Sequence, residues 1–172
     1  MKLKNKKRGF TLIELTLYMG LISILLVIVM ELFATIFHLR SESEANSAVV
    51  QDSRYLLTRL AYDLNRAKSI DVPANIGQTS STLQLTVNED NEDNVYTYFL
   101  DSGMLSMSNH LGTNILNSIS TTVDPNLSFT RIGNGFTSGK DTIQLSISVR
   151  SVTQKSPGKN EIETFTTILG TR

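Results

Sequence analysis

Gly9 and Glu14 are the residues whose types and spacing suggest chemistry in this chain. Gly9 follows the cations Lys6, Lys7 and Arg8 and precedes Phe10, which opens an apolar run reaching about Phe37. It places a small residue at a candidate cleavage point, where the chemistry is hydrolysis of one peptide bond by an outside enzyme. Glu14 is a carboxylate just inside the run. Near a membrane helix end such a group costs little if it snorkels, but carried toward the bilayer centre it costs about 2.5–3.5 kcal/mol. A charge kept there needs a partner, and the segment reads as a processed membrane anchor.

Other candidates lack parts. His38 and His110 are the only histidines and there is no cysteine, so a zinc site or a nucleophilic triad is not expected, nor any metal, cofactor or enzymatic activity. His38 reads as an interfacial residue and His110 as part of a polar loop. The run Asn88-Glu89-Asp90-Asn91-Glu92-Asp93-Asn94 offers alternate oxygen-bearing side chains that suit calcium. It lacks the glycine and distal glutamate of a hand-type loop, so a solvated hairpin tip is the favoured reading.

A helix must position Glu14. Leu15 to Met30 carries no charge, and Phe10 to Phe37 spans roughly 40 Å as a helix against a hydrocarbon core of about 30 Å. Lys2, Lys4, Lys6, Lys7 and Arg8 precede the run, whereas Arg40 follows it with Glu42 and Glu44. This asymmetry puts the amino terminus in the cytoplasm and exports the rest. A cleaved secretory signal is the lesser alternative, since its apolar core is usually about 7–15 residues and ends at a small-x-small site. Glu31 lies near the outer interface, as a solvated charge or as a second packing contact.

The stretch Gly9-Phe10-Thr11-Leu12-Ile13-Glu14-Leu15 resembles the amino-terminal signature of type IV pilins and of the pseudopilins of type II secretion and DNA uptake. The resemblance implies that a membrane prepilin peptidase cuts between Gly9 and Phe10 and methylates the new amine of Phe10. It also implies that Glu14 pairs with the amino terminus of a neighbouring subunit. The residues alone leave a second option open, because the new amine would lie about one helical turn from Glu14 of the same chain.

Residues 1–9 are thus expected as a removable leader, 10–37 as the transmembrane or filament-core helix, 38–69 as its amphipathic continuation and 70–172 as an exported β domain. The full chain has 172 residues with 16 basic and 16 acidic side chains; loss of the leader's five cations leaves 11 against 16, which argues against a general grip on nucleic acid. Many major pilins close a carboxy-terminal loop with a disulfide or break the anchor with a proline, and this sequence does neither.

Ser41 to Ser69 contains no Gly or Pro. Val49, Leu56, Leu57, Leu60, Leu64 and Ala67 recur at helical spacing, and Asp52, Arg59, Asp63 and Arg66 are expected on the opposite, solvated side. One helix from about Phe10 to Lys68 follows. Strand alternation appears in Thr82–Val87, Val95–Leu100, Ile143–Val149 and Ile162–Leu169, with Leu127–Ile132 as a further candidate. Asp101-Ser102-Gly103 reads as a tight turn into Met104–Met107, and Ser156-Pro157-Gly158-Lys159-Asn160 as a hairpin turn. Residues 76–81 and Gly133-Asn134-Gly135 read as flexible connections.

The expected class is α+β and pilin-like, a long amino-terminal helix packed on one antiparallel sheet. Residues 51–67 and the order of later strands are similar to minor members, the J-type pseudopilins and W-type minor pilins. The resemblance therefore implies a minor structural subunit of a pilus-like filament or pseudopilus, single-pass in the cytoplasmic membrane before assembly and in the periplasm or at the cell surface afterwards. Its implied partners are other pilin subunits, the prepilin peptidase, a membrane assembly platform and the lipid bilayer. A major pilin forming the filament bulk is the alternative, and a membrane-tethered binding protein the remoter one.

Overall fold

The computed structural model describes residues 9–89, 91–133, 141–156 and 158–171. Lys2, Lys4, Lys6, Lys7, Arg8, Asp90, Asn134, Gly135 and Pro157 lie outside the described residues. Two compact units make up the chain, Met1–Arg40 and Ser41–Arg172. Helix α1, Leu12–Arg66, contributes residues to both.

In the first unit, residues 9–40 are exposed on every side, and the helix carries an 18-residue window of mean hydropathy 2.5 with none of it buried. An apolar surface of this extent needs lipid or other helices around it. It contains no proline, and Gly20 is its only helical glycine, so nothing local ends the helix early.

In the second unit α1 buries Ala45, Val49, Asp52, Ser53, Leu56, Leu60, Asp63 and Leu64. Steps of three and four keep these on one stripe. The helix stops at Arg66, two residues short of expectation, and β1, Ala67–Val72, follows at once. β-Branched Ile70 and Val72 favour the extended form, and Pro73 holds the residue before it out of the helical region.

Two antiparallel sheets stand where the sequence pattern suggested one. The first has the order β1-β3-β4-β5-β6, with β3 Leu83–Glu89, β4 Glu92–Asp101, β5 Met104–Asn109 and β6 Gly112–Ile115. The second has the order β10-β9-β8-β2, with β7 also paired to β9; its members are β2 Thr79–Ser80, β7 Thr121–Val123, β8 Ser128–Arg131, β9 Thr142–Ser156 and β10 Lys159–Gly170. The 76–81 connection is therefore not wholly irregular, since Thr79 and Ser80 pair with Thr130 and Phe129.

The β4–β5 hairpin turns through Ser102 and Gly103, at φ 51° and 82°. Two left-handed residues in a two-residue loop match the right-handed twist of the strands, and glycine takes one of them without strain. Alternate residues of β3, β4, β5 and β9 point inward, so Leu83, Leu85, Val87, Tyr96, Tyr98, Leu105, Ile143, Leu145, Ile147 and Val149 join Val49, Leu56, Leu60 and Leu64 of α1 in one core. Both sheets thus close on the same helical stripe, which is the α+β, pilin-like architecture expected.

Candidate functional site

The first site is the start of α1. The Thr11 amide donates to Glu14 Oε2 at 3.0 Å, its hydroxyl donates to the same oxygen at 3.1 Å, and the Glu14 amide donates to Thr11 Oγ1 at 3.3 Å. This is a reciprocal capping box, in which the N-cap threonine and the glutamate three residues on satisfy each other's amides. The sequence reading missed the box; the spacing Thr-x-x-Glu is the signal that could have found it. Phe10 and Gly9 precede the helix, so Phe10 is not the helical neighbour of Glu14 that a start at Phe10 implied.

The Phe10 ring stands edge-on to Tyr18 with centroids 6.3 Å apart. Among the described residues nothing lies within 4 Å of the place a Gly9 side chain would occupy. The Gly9–Phe10 bond therefore sits in exposed, non-helical backbone. Thr11→Ala is expected to cost the helix start about 1 kcal/mol, read as faster amide exchange at residues 12–15 of the full chain in detergent; unchanged exchange would contradict the capping role.

The second cluster contradicts the sequence reading of the amphipathic half. Asp63 was expected on the solvated side and is fully buried. Its carboxylate accepts the Tyr98 hydroxyl and an Arg66 N–H at 2.9 Å, and the Arg59 Nε lies 2.8 Å away as an ion pair. Tyr98 is itself buried, and burial together with the Asp63 carboxylate pushes its hydroxyl far above the usual tyrosine range. Burial works to lower the Arg66 guanidinium, but hydrogen bonds to Asp63 and Glu89 outweigh it and hold the group well above its ordinary value. Tyr62 stacks under Arg66 at 4.4 Å from its centroid. Arg59 and Arg66 flank the stripe, partly exposed.

Asp52 is the other correction. It faces inward at 9% exposure and receives the Ser118 amide at 2.9 Å, the Ser118 hydroxyl at 2.7 Å and the Thr121 hydroxyl. It pins the 118–121 connection to α1. In both cases the helical angle, not the residue type, decides the face: Asp52 and Asp63 fall within about 60° of Val49 on an ideal helix.

The acidic tip behaves as a hairpin. Asn91 turns it at φ 66°, and Glu89 accepts Arg66 and the Tyr96 hydroxyl, each at 2.8 Å. Those two hydrogen bonds, Tyr96 first, hold the Glu89 carboxyl below its usual range. Asp93 accepts Asn88 at 2.7 Å and pairs with Lys68. These acids face their own cations instead of converging on a common point. Among the described residues no group of three or more His, Asp or Glu is placed to hold a metal ion. His110 lines an open polar hollow with Arg66, Glu89 and Glu92, and His38 sits exposed on α1.

Residues 4–30 match the family model described as the prokaryotic N-terminal methylation motif. The chain carries a type IV pilin-like prepilin signature. That signature supports a pilin-like or pseudopilin subunit, a structural class, and with the apolar helix it is consistent with anchoring in the inner membrane. Comparison with curated proteins and with solved structures gave no match.

Proposed function

We propose that this chain is a subunit of a type IV pilus-like filament or of the pseudopilus of type II secretion or DNA uptake, cut between Gly9 and Phe10 and methylated on Phe10. The observation that carries this reading is the methylation motif at residues 4–30, running directly into a helix that is apolar and uncovered on all sides.

In the uncut chain Glu14 is capped by Thr11. Cleavage creates a cationic amine at Phe10, and the amine of a neighbouring subunit is a stronger partner for the carboxylate than a neutral hydroxyl. A buried unpaired charge is penalised, so the offset that delivers an amine to Glu14 is favoured. Apolar packing supplies adhesion between anchor helices, and the charge supplies axial register.

A minor role, starting or capping the filament, is favoured by the similarity of residues 51–67 to minor members. A bulk role, which places copies of this chain side by side, is the alternative. Counting copies in sheared filaments by quantitative mass spectrometry separates the two. A handful per filament supports the minor role, and hundreds overturn it.

A further inference from the structure

Between Leu15 and Leu39 the only acidic side chain is Glu31 and the only basic one is His38. They lie seven residues apart on α1, so an ideal helix brings them within about 20° of the same face. Thr35 lies between them, its hydroxyl donating to the Glu31 carbonyl at 2.9 Å. Along the axis the two groups are about 10.5 Å apart, beyond each other's hydrogen-bond reach. Among the described residues neither side chain has a hydrogen-bond or ion-pair partner, and both are exposed in an apolar surface that needs cover. Each must be satisfied from outside its own helix.

We propose that parallel anchor helices from two copies of this chain pair Glu31 of one with His38 of the other, at an axial offset of about two helical turns. The occupant is a second copy because one face carries both halves of the pair. Copies at zero offset would set Glu31 against Glu31, whereas a seven-residue offset sets an imidazole N–H against a carboxylate, a hydrogen bond that forms with the ring neutral or charged. The contact is heterologous. Each pairing leaves one free Glu31 and one free His38, so the arrangement propagates instead of closing. The offset has the same sense as one that would bring an outward copy's Phe10 amine to Glu14 of the inward copy, but it is larger: seven residues set Phe10 level with Leu17, whereas Glu14 lies four residues on. This inference rests on the filament-subunit reading above.

The absence of native cysteine makes the test clean. Two tagged full-length copies, one Glu31→Cys and one His38→Cys, are co-expressed and oxidised in the native membrane and in assembled material. A mixed disulfide is expected, since offset helices bring the two Cα atoms within the roughly 4.4–6.8 Å a disulfide spans. Two Glu31→Cys copies are expected not to couple. In parallel, Glu31→Gln or His38→Gln should lower assembled material roughly three- to tenfold, the range of a membrane interhelical hydrogen bond. The exchanged double variant, Glu31→His with His38→Glu, should restore it.

The pairing is overturned if Glu31→Cys couples to itself as well as to His38→Cys, as side-by-side packing would have it. It is equally overturned if the exchanged double is as poor as the single variants, or if both single variants assemble normally with their side chains simply reaching lipid headgroups. Cleavage at Gly9 is scored in the same samples. Uncleaved wild-type protein in assembled material would remove the filament-subunit reading, whereas cleaved, assembled protein without the 31–38 cross-link would remove the pairing alone.

Discussion

Asp63→Ala is expected to destabilise the second unit by roughly 3–5 kcal/mol, the cost of breaking a buried charge cluster by removing one partner. The carboxylate is fully buried and receives a tyrosine hydroxyl and two arginines. Its loss strands the Tyr98 hydroxyl in the core, takes the carboxylate from Arg59 and leaves Arg66 to Glu89. Asp63→Asn keeps one acceptor for Tyr98 and loses the charge, so an intermediate loss is expected. Urea unfolding of the full chain in detergent, followed through its tyrosines, measures both. Against a typical total of about 5–15 kcal/mol the alanine effect is large. A midpoint within error of the parent would show that Asp63 is a solvated surface charge after all.

Glu14→Leu is expected to leave membrane insertion intact and to lower entry into filaments by more than tenfold. The substitution removes an acid from an apolar helix, which eases burial in lipid. It also removes the acceptor for a neighbour's amine, on which axial register depends. The capping box complicates the reading, because the same change frees two Thr11 donors and loosens the helix start. Thr11→Ala separates the effects. It removes the box while keeping the carboxylate, so it should assemble far better than Glu14→Leu. Equal assembly by Glu14→Leu and the parent, at normal spacing, would refute the division between adhesion and register.

The parts legible in the sequence are those set by one-dimensional pattern. The anchor is a run without charge from Leu15 to Met30, and the long strands alternate strictly enough for period two to show, as in Ile143-Gln144-Leu145-Ser146-Ile147. The Ser102-Gly103 turn announces itself through glycine. What stayed hidden depends on three-dimensional pairing. Asp52 and Asp63 were sorted by charge, although their spacing from Val49 and Leu56 already set them on the inward stripe; only the positions of Ser118, Thr121 and Tyr98 show what makes burial tolerable there. The split into two sheets follows from which edges β8 and β9 share, and β2 is two residues paired to β8. No local preference encodes either feature. At the candidate site, Gly9, Phe10 and Glu14 stand out in sequence because a glycine and an acid interrupt a basic-to-apolar transition. Thr11 does not, since a threonine at the head of a helix is ordinary until its hydroxyl is seen to hold the carboxylate.

The most direct test is the mass of the amino-terminal peptide of native protein recovered from assembled filaments. A peptide that begins at Phe10 and is heavier by one methyl group on its amine is expected. A peptide that begins at Met1, with Gly9 still joined to Phe10, would contradict that, because no new amine would then exist to meet Glu14.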